Sequence, residues 1–286
     1  MRYQFLRFPE GKSKAVTFSY DDGVRQDLRF SDVLEKYQIK ATFNLNSEKL
    51  RGSKGLQKDE IIEYILNRGH EIAVHGSNHR AEGTLRPIEG IQDVLDCRLE
   101  LEDRFGLIIR GMAYPDSGIT YFTNGAEYDN VKNYLQELDI VYSRTLGGDN
   151  NSFELPQDWH AWMPTAHHNN SNIFDYIEQF VKIDLSEPAA YGARRQPRLF
   201  YLWGHSYEFD RDNNWEHLEG ICEKLSGKED TWYATNMQIY DYITAYHSLI
   251  YSADGTRVYN PTLQTIWFDV DRVLYSVEPG ETIKIK

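Results

Sequence analysis

Apolar residues along the chain fall into short runs that alternate with amphipathic stretches of helical period. "AVTFSY" (15–20) predicts a strand, and the stretch from Leu28 to Tyr37 a helix. "ATFNLN" (41–46) predicts a second strand, and "KDEIIEYILNRG" (58–69) a helix that stops at a glycine. "HEIAVHG" (70–76) reads as a third strand, and Pro87 opens a long helix to about Arg104. "LIIRGMAYP" (107–115) is a fourth strand, followed by the helix "VKNYLQELDI" (131–140) and the strand "VYSRT" (141–145). Beyond a loop rich in Trp, Pro and His come a helix (173–184), the strand "RLFYLWGH" (198–205), a helix from Trp215 to Leu225, the strand "TWYAT" and a helix from Asn236 to about Ser248.

Repeated strand–helix units imply an α/β fold with a parallel sheet and its helices outside. About seven such units suffice for a distorted, incomplete (β/α) barrel. From about Ser252 the pattern changes to alternation without helical period, with turn signals at Asn260-Pro261 and Pro279-Gly280. The expected division is a main domain over residues 1–250 and a small β-rich extension over 251–286.

Composition narrows the partners. A formal charge of -13 argues against nucleic acid, which needs basic stripes. No segment has the length and apolarity of a membrane span. "MRYQFLRFPEGKSKAVTF" lacks the apolar core and cleavage site of a signal peptide, so the sequence as it stands reads as cytoplasmic, or as extracellular if a leader was trimmed. Cys97 and Cys222 are too few for a disulfide framework and read as small buried hydrophobes. Oligomeric state is not readable.

In parallel βα architectures functional side chains gather at the carboxyl ends of strands. Asp21 and Asp22 follow the first strand, His75 and His79 the third; Arg110, Tyr114, Pro115 and Asp116 belong to the fourth, and His205 follows the late one. Two adjacent carboxylates repel unless a cation sits between them. Two histidines four apart plus one carboxylate suit a divalent metal with open positions. Gly76 takes the place that Glu holds in the H-E-x-x-H pattern, so a base must come from elsewhere, and Asp21 beside Asp22 fits. Asn44 and Asn46 end the second strand on the same rim, within reach of a substrate. His167-His168 is divided between the border of a substrate groove and plain solvent exposure.

The order of these motifs resembles the polysaccharide deacetylase family, also called the NodB-homology or carbohydrate esterase 4 family. "TFSYDDG" (17–23) is similar to its T-F-D-D-G motif with two residues inserted. "HGSNH" (75–79) resembles H-[ST]-x-x-H, with Gly76 where a hydroxyl is usual and Ser77 as its substitute. "RGMAYPDSG" (110–118), "LWGH" (202–205) and Asp158-Trp159 resemble the remaining motifs, and the resemblance spans roughly residues 14 to 247.

The resemblance implies a hydrolase that removes N-acetyl or O-acetyl groups from a carbohydrate. It implies a divalent metal, Zn²⁺ before Co²⁺, Ni²⁺ or Mn²⁺, on Asp22, His75 and His79, with Asp21 as general base. His205 would protonate the leaving group, Arg110 would pair with Asp21, and a backbone N–H near Pro115 to Ser117 would hold the oxyanion. Tyr114, Pro115, Asp116 and Trp159 would border the substrate. Two rivals remain: hydrolysis of a non-sugar amide or cyclic ureide, and sugar binding without turnover.

Overall fold

The structure, a computed structural model, describes residues 2–52, 55–116, 118–145, 148–186 and 195–285. Strand β1 (Gln4–Arg7) leads into β2 (Lys14–Asp22), nine residues that are all buried, as a strand covered on both faces must be. Then follow α1 (Gln26–Tyr37), β3 (Ala41–Leu45), α2 (Lys58–Ile61, continued by a π turn over Ile62–Leu66), β4 (Glu71–Val74), α3 (Pro87–Phe105), β5 (Gly111–Ala113), α4 (Tyr128–Glu137) and β6 (Tyr142–Arg144). The second half holds β7 (Ala166–His167), α5 (Ile173–Lys182), β8 (Arg198–Gly204), α6 (Tyr207–Arg211), α7 (Trp215–Leu225), β9 (Thr231–Tyr233) and α8 (Asn236–His247).

The sheet runs β6-β5-β4-β3-β2-β8-β7, every pair parallel, and curls into a half-barrel. β9 joins it on β2 through Lys14–Val16, below the stretch from Phe18 that pairs with β3. Trp162 makes a parallel bridge to Arg144 of β6, while Ala166 pairs with Leu202 of β8. One segment thus spans both edges and draws the sheet toward closure.

The fourth strand is shorter than its apolar run suggests. Leu107 and Ile108 are exposed, and pairing begins only at Gly111. α6 and β7 carry no legible periodicity, being five and two residues long.

Chain ends meet at the amino-terminal floor of the barrel. β10 (Ile250–Tyr251), β11 (Arg257–Tyr259) and β14 (Thr282–Lys284) form one small antiparallel sheet. β12 (Ile266–Val270) and β13 (Val273–Val277) form another, and its third strand is β1, with Gln4 opposite Val270. Leu6 and Phe8 share an apolar cluster with Tyr242, Ile243, Phe268 and Val270. The carboxyl ends of the barrel strands lie opposite this floor.

Candidate active site

β2 ends in Asp21 and Asp22, and the two acids have different surroundings. Asp21 is buried; Asn44 Nδ2 donates to its Oδ1 at 2.8 Å, and the Arg144 guanidinium donates to its Oδ2. Burial alone would raise its pKa. Arg144, followed by His75 and His205, outweighs that and holds the carboxyl below its usual value. Asp22 has φ of 89°, a left-handed backbone that a non-glycine residue adopts only where its surroundings impose it. That twist turns its side chain onto a different set of partners. His79 Nε2 lies 3.2 Å, His75 Nε2 3.7 Å and Lys49 Nζ 2.9 Å from Asp22 Oδ1. Its carboxyl is likewise held low: His79, His75 and Lys49 overcome the effect of burial.

His75 is buried, and its Nδ1 donates to the Ala113 carbonyl at 2.9 Å. The proton on Nδ1 leaves Nε2 as a lone pair aimed at the acids, the usual outer-shell arrangement of a ligating histidine. His79 has φ of 52° and sets its Nδ1 3.6 Å from Asp116 Oδ1. Donor atoms of Asp22, His75 and His79 all lie within 4.8 Å of one another. One carboxylate and two imidazoles so placed fit a divalent transition metal.

The loop carrying both histidines is steadied by a carboxylate from α3. A side chain at Gly76 would put its Cβ 2.5 Å from Asp93 Oδ2, and Gly76 itself has φ of 69°. Asp93 Oδ1 accepts from the Asn78 backbone N–H at 2.8 Å and from Asn78 Nδ2 at 2.7 Å. Asp93 therefore fills the space of the expected hydroxyl. Ser77 instead faces Ser47, Oγ to Oγ at 3.2 Å.

His205 follows β8 with Nε2 3.9 Å from Asp21 Oδ2 and Nδ1 3.7 Å from Glu208 Oε2. Burial lowers its pKa, but Glu208, Asp21 and Asp22 more than compensate, so the ring holds its proton above the ordinary histidine value. His205 is on the same rim as Asp21 and Asp22.

Several expectations are corrected. Arg110 does not reach Asp21. It precedes β5, so it lies at the amino end of that strand, where its carbonyl accepts from Val141 N–H and its charge acts on Asp241. Arg144, at the carboxyl end of β6, fully buried and 4.8 Å above the Trp203 ring, makes that pair instead. Trp159 is also remote from the rim. Since Trp162 pairs in parallel with Arg144, Trp159 sits further down the barrel, packed on Trp162 and on Tyr240 of α8 at 4.9 and 5.0 Å. Its neighbour Asp158 pairs with Lys132 at 2.7 Å.

Tyr114 is buried; its hydroxyl donates to the His160 carbonyl at 3.0 Å and its backbone N–H to the Arg144 carbonyl, so it faces the core. Pro115 is buried beside Gly76, and exposed Asp116, with φ of 48°, stands over His79. Ser117, the far end of the expected oxyanion segment, lies outside the described residues. Asn44 and Asn46 are committed within the protein, the first to Asp21 and Ser19, the second to the Gly76 carbonyl. His168 is fully buried, not solvent-exposed.

Asp21, whose carboxyl is held low, lies beside a cluster of metal-type donors on a parallel half-barrel. Residues 9–142, somewhat less than half of the chain, match the family described as "Polysaccharide deacetylase". Among curated proteins none matches.

Solved structures share the fold. A family 4 acetyl xylan esterase from Clostridium thermocellum, in complex with a cobalt ion, is 15% identical with a TM-score of 0.50, over 79% of this chain and 90% of that one. The Xyl-CE4 domain of a multidomain xylanase from the hindgut metagenome of Trinervitermes trinervoides is 16% identical at 0.51, over 82% and 92%. PuuE allantoinase is 14% identical at 0.60, over 84% and 93%. Among the described residues, no helix is long and apolar enough to cross a membrane.

Proposed function

We propose that the protein is a metal-dependent deacetylase that hydrolyses acetyl groups on a carbohydrate. One observation carries this reading: Asp21 and Asp22 are adjacent in sequence yet divided in environment, the first bound to Arg144 and Asn44, the second turned to two imidazoles.

Asp22, His75 and His79 would hold the ion, Zn²⁺ before Co²⁺, Ni²⁺ or Mn²⁺. Once bound, such an ion lowers the pKa of water and polarises an acyl carbonyl. The chain's own residues do the rest. Asp21, kept ionised by Arg144, takes the proton from the attacking water as general base. Asn44 and Arg144 fix its two oxygens, so the base is held in one orientation. His205 Nε2, on the same rim and protonated to higher pH than an ordinary histidine, gives its proton to the departing amine or alcohol. The Asp116 backbone N–H would serve as the oxyanion donor. A pure sugar-binding site has no need for a base and an acid so placed.

The test is release of acetate from a panel of N-acetylated chito-oligosaccharides and O-acetylated xylo-oligosaccharides, with and without a chelator, with allantoin as the non-sugar arm. Chelator-sensitive acetate release supports the reading. Turnover of allantoin alone would replace it with a ureide hydrolase, and no turnover of any substrate with metal bound would leave a binding protein.

A further inference from the structure

A second set of metal-type donors lies beside the first and is not used in that chemistry. His167 Nε2 and His168 Nε2 are each 3.1 Å from Glu208 Oε2, and the three donor atoms lie within 4.8 Å of one another. His205 Nδ1 approaches the same oxygen at 3.7 Å from another side. Bonds of about 2.0–2.1 Å in a tetrahedron place neighbouring donors about 3.3 Å apart, close to the 3.1 Å from each of His167 and His168 to Glu208.

Glu208 Oε2, His168 Nε2 and His205 Nδ1 are buried at ion-pair separation, and none of the three has a hydrogen-bond partner of good geometry. Three unsatisfied polar atoms turned toward one point are costly unless a cation joins them.

The surroundings hold these side chains in place. Glu208 Oε1 is taken by Arg211 at 3.3 Å, leaving Oε2 as a single donor. Tyr20 OH meets His168 Nδ1 at 3.1 Å, and with the proton on Nδ1 the Nε2 lone pair faces Glu208. A Cβ on Gly204 would come within 2.0 Å of His168 Nδ1, so β8 leaves out a side chain where this ring lies. His167 is fixed through its backbone N–H, which donates to Asp149 Oδ1 at 2.7 Å.

We infer that His167, His168 and Glu208 form a second divalent-metal site, separate from the Asp22–His75–His79 set. Two imidazoles and one carboxylate select a first-row transition ion such as Zn²⁺ over Mg²⁺ or Ca²⁺. In the metal-free protein Asn169 N–H donates to His167 Nδ1 at 3.1 Å, which puts the ring proton on Nε2. Metal at Nε2 expels that proton, protonates Nδ1 and releases Asn169 N–H.

The test is Zn²⁺ stoichiometry by mass spectrometry of the metal after loading and desalting. It needs no substrate, so its outcome is independent of the deacetylase reading. Wild type should hold two ions per chain, His79→Ala one, Glu208→Gln one and the double variant none. His167→Ala, at a half-buried position, should also hold one, and circular dichroism checks that each variant is folded. Zn²⁺ should shift the Asn169 amide resonance in His79→Ala but not in Glu208→Gln. Two ions retained in folded Glu208→Gln and His167→Ala would overturn the site. So would a wild type holding one ion that only His79→Ala removes.

Discussion

Arg144, the last residue of β6, donates from its guanidinium to Asp21 across 123 positions of sequence, and both side chains are almost wholly buried. Removing one partner of such a pair leaves a lone buried charge, at a cost of ~3–5 kcal/mol. Arg144→Met should therefore lower stability by about that amount. It should also shift the acid limb of the rate profile upward, because the leading influence that keeps Asp21 ionised is gone. Arg110→Ala should change neither. Urea unfolding and pH–rate profiles of both variants decide it; a full effect from Arg110→Ala would return the role to that residue.

The paired acids should separate by metal content. Asp21→Asn should keep its metal and lose roughly 10²–10⁴-fold in turnover, the usual contribution of a general base. Asp22→Asn should lose the ion shared with His75 and His79. Metal analysis beside acetate release would show the assignments reversed if Asp21→Asn were the variant that lost metal.

His205→Ala should distinguish leaving groups. An amine departs poorly unprotonated, whereas the phenolate of an activated aryl acetate needs little help. Loss should be much larger, by up to ~10²-fold, on an N-acetyl sugar than on the aryl acetate. Equal losses on the two substrates would reduce His205 to a positioning role.

His70 gives a pH test away from the site. Its Nδ1 accepts from Ala41 N–H at 3.1 Å, and burial, then Lys40 and Arg68, push its pKa from 6.5 down to about 3. Between those values the unfolded chain binds a proton that the folded chain does not, so stability rises with pH through the window and is complete above it. At pH 5 the deficit is ~2 kcal/mol. His70→Asn retains an acceptor for Ala41 without the titration. Its loss of stability between pH 7.5 and 5 should therefore be smaller than that of wild type by about that amount in urea unfolding. Identical pH dependence in the two proteins would exclude His70 as the source.

Much of this site was legible because each motif rides on a strand end. The run 15–20 located β2, and the next two residues were the acids. His75 and His79 followed β4 in the same way, and His205 followed β8. Arg144 could not be found by that rule, since "VYSRT" gives no sign of which acid lies across the barrel; the pairing depends on the curl of the five strands from β6 to β2. Arg110 misled because the apolar run 107–115 is longer than the strand. Only Gly111–Ala113 pair, so the arginine falls before the strand and at the wrong end of the barrel. Glu208, three residues beyond His205, was within reach of sequence reasoning. The short helix α6 that turns it inward was not.

The pairing of β1 with β12 has a consequence for how the protein is made. Every strand of the barrel is complete by residue 233, yet Gln4–Arg7 has no partner until Trp267–Val270 has been synthesised. Until then Leu6, Phe8, Tyr242 and Ile243 form an apolar floor without the strand that covers it. A nascent chain in that state carries its candidate active-site rim already assembled and its sticky surface at the other end, which is when such chains aggregate or engage chaperones. Strand β12 therefore covers the floor that the barrel leaves open, although none of its residues is near the candidate site.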